Sequence, residues 1–308
     1  MSSNLTSIDQ LLRPNDRGPA TELLFRRAPL FDFFASNGRI VTNLGGEPHA
    51  WNLKTVSAAA TESWVEGQAR GLSGTPAYVK AQLSPFNQRG YASVTGHVQD
   101  QIRLQGTYED AEARAVDDAM IDTIKAFNDD LLGSTVDKGM ASIIDAVDLY
   151  AGINPATVTS WASLETAVSG ALSLSVLDTA HRTLSDSPRG AMPTVILTGL
   201  LQKEKYEALY DSNIRRVPIQ EQGLRYDLRA TSGTSYKGIP WMGIIGITAS
   251  ELYMLDMTSD VFEVRMQRNP TVKILPETTD GITYEVSVRG FLKVGNRRQQ
   301  GKLTGLST

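Results

Sequence analysis

A chain of 308 residues with 41% hydrophobic and 21% charged content is composed like an ordinary globular protein of one large domain or two. The balance of 30 Lys+Arg against 34 Asp+Glu, net charge −4, argues against a dedicated nucleic-acid binder, whose footprint is strongly basic. The absence of cysteine excludes disulfides, thiolate metal sites and cysteine nucleophiles, and His49, His97 and His181 stand in no metal-ligand spacing.

The start, "MSSNLTSIDQLLRPNDRG", has no basic residue followed by an apolar run, so it does not read as a secretory signal. No stretch approaches the ~20 apolar residues of a membrane span. A soluble protein made in the cytosol is expected.

Residues 1–36 read as an arm. "RPNDRGP" is a loop cluster. "TELLFRRAPLFDFF" reads as a short amphipathic helix stopped by Pro29, dense in apolar residues (Leu23, Leu24, Phe25, Leu30, Phe31, Phe33, Phe34). Terminal segments fray unless tied down, so this one either folds back on its own domain or packs on a neighbour.

Across residues 38–106, "GRIVTNLGGEPHAWNLKTV" and "YASVTGHVQDQIRLQG" read as extended strands with Gly breaks. The polar stretch "EGQARGLSGTPAYVKAQLSPFNQRG" lies between them. Together they form a hairpin-like excursion too poor in apolar residues to build its own core, which therefore needs a partner surface.

Residues 107–132 are the clearest helix. Thr107 and Asp110 form a capping-box variant. Val116, Met120, Ile124 or Thr123, Phe127 and Leu131 recur on one face, and Gly133 ends the helix. The doublets Asp117/Asp118 and Asp129/Asp130 are not carboxylate dyads. Adjacent helical residues point about 100° apart, so with Asp122 they read as a solvated acidic face.

Residues 141–255 mix elements without a strict strand–helix alternation, an α+β texture. "MASIIDAVDLY" leads into "YAGINPATVTSWAS", a turn-rich polar segment with one Trp. A second helix is expected over Leu164–Leu184. "PTVILTG" is a buried-type strand that runs into the helix "LLQKEKYEALYD", and "GIPWMGIIGIT" is a further strand region. From 256 to 308 the pattern is β-rich. "DVFEVRMQ" places Phe262, Val264 and Met266 on one face and Glu263, Arg265 and Gln267 on the other. "ITYEVSVRGFLKVG" alternates until Gly290, where the phase break predicts a bulge.

Motifs that carry chemistry are wanting. "GNRRQQGK" has five residues between its glycines where a phosphate loop has four, with Leu303 in place of the Mg²⁺-binding Ser or Thr. His181, four residues before Ser185 and five before Asp186, is the best local triad candidate and reads as a packing or surface residue. The doublets Arg215/Arg216 and Arg297/Arg298 read as solvated surface, or else as contacts to a neighbouring subunit or to packaged nucleic acid. No catalytic, cofactor-binding or metal-binding residue is assigned.

The order of the parts resembles the major capsid proteins of tailed bacteriophages, the Hong Kong 97-type fold. "YAGINPATVTSWAS" is similar to the turn-plus-Trp segment that follows the spine helix in that family. "PTVILTGLLQKEKYEALY", "YKGIPWMG" (Tyr236–Gly243), "ELYMLDMT" and "VSVRGFLKVGNRRQQGKLTGL" resemble its later strands and helix, so the likeness covers nearly the whole chain. It implies an α+β fold with an N-terminal arm at 1–36 and an E-loop at 37–106. A peripheral domain with the spine helix would take 107–140 and 256–308, and an axial domain 141–255. Trp161 would be a packing anchor.

The resemblance also implies a non-enzymatic subunit that assembles into hexamers and pentamers and forms an icosahedral shell around double-stranded DNA, without sequence-specific binding. The location implied is the virion, with assembly in the host cytoplasm. Partners would be further copies, a portal, scaffolding and decoration proteins, with no membrane and no cofactor. Lys54 and Lys80 fall in the E-loop, but no motif marks the partners of a Lys–Asn isopeptide bond, and none is carried over. The short arm suggests no cleaved scaffolding region, and a separate scaffold or none. Two other readings are an encapsulin-like nanocompartment shell and a soluble α+β enzyme with a dispersed site.

Overall fold

The computed structural model describes residues 28–42, 48–56, 66, 76–96, 100, 111–133, 139–186, 188–210, 234–258, 261–276 and 281–308. Thr107, Asp110, His97, Arg215, Arg216 and most of the arm lie outside them. Among the described residues no helix is long and apolar enough to cross a membrane.

Helix α1, Pro29–Ser36, begins rather than ends at its proline. Proline lacks an N–H and has φ preset, which suits the first helical position. Leu30, Phe33 and Phe34 are fully buried. The backbone N–H groups of Leu30 and Phe31, which a helix start leaves without partners, donate to Asn128 Oδ1 at 3.0 and 3.1 Å. Phe31 meets Phe127 edge-on and Phe34 stacks on Phe262. Residues 28–36 thus fold back on their own domain.

The excursion divides differently from its sequence pattern. Strand β1, Ile40–Val41, pairs parallel with the later strand β10, Phe262–Ile274. Strands β2, His49–Val56, and β3, Ala77–Leu83, form a two-stranded antiparallel hairpin. Strand β4, Phe86–Thr95, leaves the hairpin and pairs along its whole length with β11, Gly281–Val294. The result is a four-stranded sheet in the order β1-β10-β11-β4.

Helix α2, Ala111–Leu132, lies on one face of this sheet. Ala119, Thr123, Phe127, Asn128 and Leu131 are buried against it, so of Thr123 and Ile124 it is Thr123 that turns inward. Its hydroxyl donates to the Ala119 carbonyl at 2.6 Å, which makes the polar group tolerable there. Two glycines let the helix settle. A Cβ at Gly90 would stand 2.3 Å from Thr123 Oγ1, and one at Gly290 would stand 2.8 Å from the Arg265 carbonyl and 3.1 Å from Phe127. The irregularity expected at Gly290 lies in the facing strand: Gly290 pairs with Met266 and Arg289 with Arg268, so Gln267 is the extra residue. Pro270 sits at a second register shift, a place where a strand tolerates its missing donor.

A six-stranded mixed sheet completes the fold, in the order β5-β12-β9-β6-β8-β7. Its strands are β5 Leu164–Gly170, β6 Val195–Thr198, β7 Ser235–Tyr236, β8 Ile239–Gly243, β9 Leu252–Leu255 and β12 Gly301–Leu306. The helix expected over Leu164–Leu184 is therefore a strand followed by the helix α4, Leu174–Ser185; a one-turn helix α3, Met140–Ile143, precedes them. Ser173 caps α4 by accepting from the Val176 N–H. Strand β5 forms because β12, more than 130 residues away, pairs with it in parallel, and local periodicity carries no trace of that partner. Helix α5, Leu200–Tyr210, follows β6 as expected.

All four residues of β6 are buried, since the sheet has a core on each side. Val195 and Leu197 face a large cluster shared with α1, α2, β10 and β11, while Ile196, Trp241 and Met254 face α4 and α5. Gly290→Ala and Gly90→Ala are each expected to lower stability by about 1–3 kcal/mol through overpacking beneath α2, read as a lower urea midpoint at unchanged slope.

Candidate functional site

The segment Tyr150–Ser163 is a junction. Tyr150 and Ile153 exchange backbone hydrogen bonds across a tight turn whose central residues, Ala151 and Gly152, both have positive φ (54° and 74°), as a type I′ turn requires. The Tyr150 hydroxyl accepts from the Val294 N–H at 2.8 Å and donates to the Leu292 carbonyl at 3.2 Å, which ties the turn to the end of β11. Trp161 stacks on the Tyr150 ring with centroids 5.9 Å apart and is 4% exposed, the anchoring expected of it. The Gln82 N–H donates to the Ala151 carbonyl at 3.0 Å, so the same turn also holds the base of the β2–β3 hairpin.

Three cations complete the junction, and their acceptors are largely backbone carbonyls. Arg297 is 0% exposed. Its Nε donates to the Ile143 carbonyl, Nη1 to Asp148 at 2.6 Å, and Nη2 to Asp145 at 2.6 Å and Ser142 at 3.3 Å. Its guanidinium also lies 5.9 Å from the Tyr150 ring centre. Arg189 reaches the carbonyls of Ala162, Ser163 and Arg298, and burial is the main cause that lowers its pKa. Lys302 donates to the Ala141 carbonyl and meets Asp145 at 3.3 Å and Glu165 at 3.8 Å. Hydrogen bonds from Val147 and Asp148 and the charge of Lys302 outweigh burial at Asp145 and hold its carboxyl below the usual range.

This corrects the reading of Arg297 as solvated surface or a partner contact; it is an internal pin. It also disposes of the phosphate-loop likeness, because Gly295–Lys302 is a 3₁₀ turn at Arg297–Gln299 whose lysine is engaged by the chain's own acceptors. The sequence holds no carboxylate motif that would have revealed these partners.

The hairpin base forms a second polar cluster. Glu263 is buried, contrary to its alternating pattern, with Arg265 and, at 3.2 Å, Lys293 on the same carboxylate oxygen. Arg265 Nη1 lies 3.0 Å from His49 Nε2. Lys293 also stands 5.7 Å from the Trp51 ring centre. Further along, the hairpin has two faces: Leu53 and Val79 pack half-buried on the core, while on the other face Lys54 and Lys80 meet solvent and Tyr78 is 62% exposed.

The other candidates separate. His181 meets the Tyr236 ring at 6.0 Å, and the carboxylate beside it is Asp178, which accepts from the Tyr236 hydroxyl and pairs with Lys237 at 2.7 Å. Burial and the Lys237 charge lower its pKa. Asp117 and Asp129 are exposed, while Asp118 and Asp130 are half-buried, Asp130 accepting from Gln88. A cavity of about 400 Å³ beside α2 is lined by Glu112, Ala113, Val116, Asp117, Met120 and Tyr284. Among the described residues no group of three His, Asp or Glu side chains is placed to hold a metal.

The sequence matches no family model and no curated protein. Solved structures do match. The Cyanophage A-1(L) capsid asymmetric unit is similar at TM-score 0.70 and 17% identity, over 99% of this chain and 100% of that one. The fold is the Hong Kong 97-type capsid fold. The capsid of a native GTA particle follows at TM-score 0.65 and 12% identity, over the whole of both chains. The holo-SrpI encapsulin complex from Synechococcus elongatus PCC 7942 stands at TM-score 0.64 and 11% identity, over 100% of this chain and 97% of that one. At these identities the likeness is one of fold.

In this Hong Kong 97-type chain the junction is expected to dominate stability. Arg297→Met, which strands four carbonyls, should cost roughly 3 kcal/mol or more, and Arg297→Lys should recover only part, since one ammonium cannot span the fork. Tyr150→Phe should cost about 1–3 kcal/mol by leaving the buried Val294 N–H without its acceptor. Denaturant unfolding of each variant checks both values.

Proposed function

We propose that the chain is a major capsid protein that assembles into hexamers and pentamers, and that these close into an icosahedral shell around double-stranded DNA. The observation that carries this reading is the β2–β3 hairpin. Its inner face packs Trp51, Leu53, Val79, Ala81 and Leu83 on the core, and its outer face leaves Lys54, Tyr78 and Lys80 open to solvent. Among the described residues no third strand pairs with it, whereas an isolated two-stranded hairpin is marginal in water. A neighbouring copy supplies the surface it lacks. The match of whole chain to whole chain with phage capsid subunits supports the same conclusion.

The proposed parts are arm 1–36, E-loop 37–106, peripheral domain 107–140 with 256–308, and axial domain 141–255, with β1 and β4 from the E-loop range pairing into the peripheral sheet and β12 into the six-stranded sheet of the axial domain. Heterologous contacts that close make rings, and many modest contacts per subunit add up to a stable shell. No step requires catalysis. The shell belongs to the virion and assembles in the host cytoplasm with a portal and scaffolding or decoration proteins, and the DNA is enclosed without sequence readout.

The second reading, an encapsulin-like nanocompartment, is favoured by the full-length likeness to the encapsulin complex. Negative-stain electron microscopy of purified protein, with and without nuclease, separates the two. Closed shells or capsomer rings are expected, holding nuclease-protected DNA when taken from virions. Shells with copurifying protein cargo and no DNA favour the nanocompartment. A small soluble oligomer that never assembles, even with scaffold supplied, overturns both.

A further inference from the structure

We propose that His49 is an acid-sensitive latch: neutral, it holds the β2–β3 hairpin on the four-stranded sheet, and protonated, it lets the hairpin base go. The inference does not depend on the shell reading. It rests on one contact and the charges around it.

His49 is the first residue of β2, paired with Leu83 of β3. Its Nε2 lies 3.0 Å from Arg265 Nη1 on β10. A guanidinium only donates, so the ring nitrogen facing it must accept, and the imidazole must be neutral with its proton on Nδ1. The ring is also packed between Phe291 of β11, at 5.6 Å, and Trp51 of its own strand, at 6.0 Å. This is a polar tether between the hairpin and the sheet, and protonation removes its acceptor.

The charges facing the ring sharpen the response. From β10 come Arg265 and Glu263; from β11 comes Lys293. The one carboxylate already carries both cations on the same oxygen. Among the described residues two positive charges and one negative leave an excess of one around a neutral His49; protonation makes it two in a half-buried site. Burial first, then Arg265 and Lys293, lower the His49 pKa from 6.5, opposed by Glu263. With the folded value depressed, the neutral ring contributes stability that is complete above 6.5 and is lost as the pH falls through the folded-state value.

Apolar packing also holds the inner face of the hairpin, where Ala81 and Leu83 are buried and Trp51, Leu53 and Val79 pack on the large core cluster. Among the described residues the other hydrogen bond from the base to the body is the Gln82 N–H to the Ala151 carbonyl, while Trp51 Nε1 is buried with no hydrogen-bond partner. A two-stranded sheet that loses one of these polar ties is expected to open ahead of the four- and six-stranded sheets.

Hydrogen exchange by mass spectrometry on the full-length protein tests the latch, using peptides that cover residues 49–56 and 77–83 from pH 7.5 to 5.0 after correction for intrinsic rates. In the wild type, protection is expected to fall about tenfold or more across this range, with the six-stranded sheet unchanged. His49→Gln keeps an acceptor that does not titrate and should hold its protection flat. Lys293→Met removes one repelling cation and should damp the fall. A wild-type hairpin whose protection does not change with pH overturns the proposal. So does a fall of equal size in wild type and His49→Gln, or in wild type and Lys293→Met.

Discussion

The buried Arg297 guanidinium is the constraint on which the rest of the molecule depends. Removing a cation from water costs several kcal/mol unless its donors are met. Here they are met by the carbonyls of Ser142, Ile143, Asp145 and Asp148. The dependence runs both ways. A loop with little regular structure can be buried only if its backbone polar groups find partners, and Arg297, Arg189 and Lys302 are those partners for 141–163. The pin fixes the C-terminal turn against this loop. That placement sets β12 between β5 and β9 and brings the end of β11 onto the Tyr150 hydroxyl. A single side chain near the C-terminus thus joins the two sheets through the segment between α2 and β5.

From this junction the hairpin leans outward. Its base is held by the Ala151 carbonyl, by the polar cluster of His49 and Arg265, and by the burial of Ala81 and Leu83. Its outward face presents Lys54, Tyr78 and Lys80, while Trp51, Leu53 and Val79 on the other face pack on the core. The two sheets, by contrast, share a core in which β6 is covered on both faces. Among the described residues the hairpin is a separate two-stranded sheet with one face on the core and the other open to solvent.

Elements with strong local periodicity were legible from sequence: the inward face of α2, the apolar run of β6, the helix α5 and the alternating start of β10. The misreadings have physical causes. Leu164–Gly170 has the composition of a weak helix and becomes a strand through parallel pairing with β12. Pro29 punctuates a helix at either end, and only Asn128, 98 residues from Leu30, shows that it is the start. The excursion reads as a polar stretch through Gly90 and a strand from Tyr91, yet the strand Phe86–Thr95 spans both because it pairs with β11, and pairing is non-local. Arg297 reads as surface in the sequence because its acceptors are backbone carbonyls, which no residue code displays. Glu263 looked solvent-facing because the hairpin base that covers it arrives from more than 200 residues earlier in the chain.

The order of elements was nevertheless enough to suggest the fold, while structures that share it are only 11–17% identical to this chain. Those two facts agree. A fold held by two packed sheets and a helix needs apolar faces at the right periods, and many residues satisfy each position. The demanding positions are few: Gly90 and Gly290, where helix meets sheet, and Tyr150 and Arg297, where loop meets strand. Because the rigid body is over-determined at those points, a perturbation at the surface has little means of deforming it. The hairpin pairs with no third strand among the described residues and its polar ties to the body run through His49 and Gln82, so under the proposal for His49 it is the element that a change of charge loosens first.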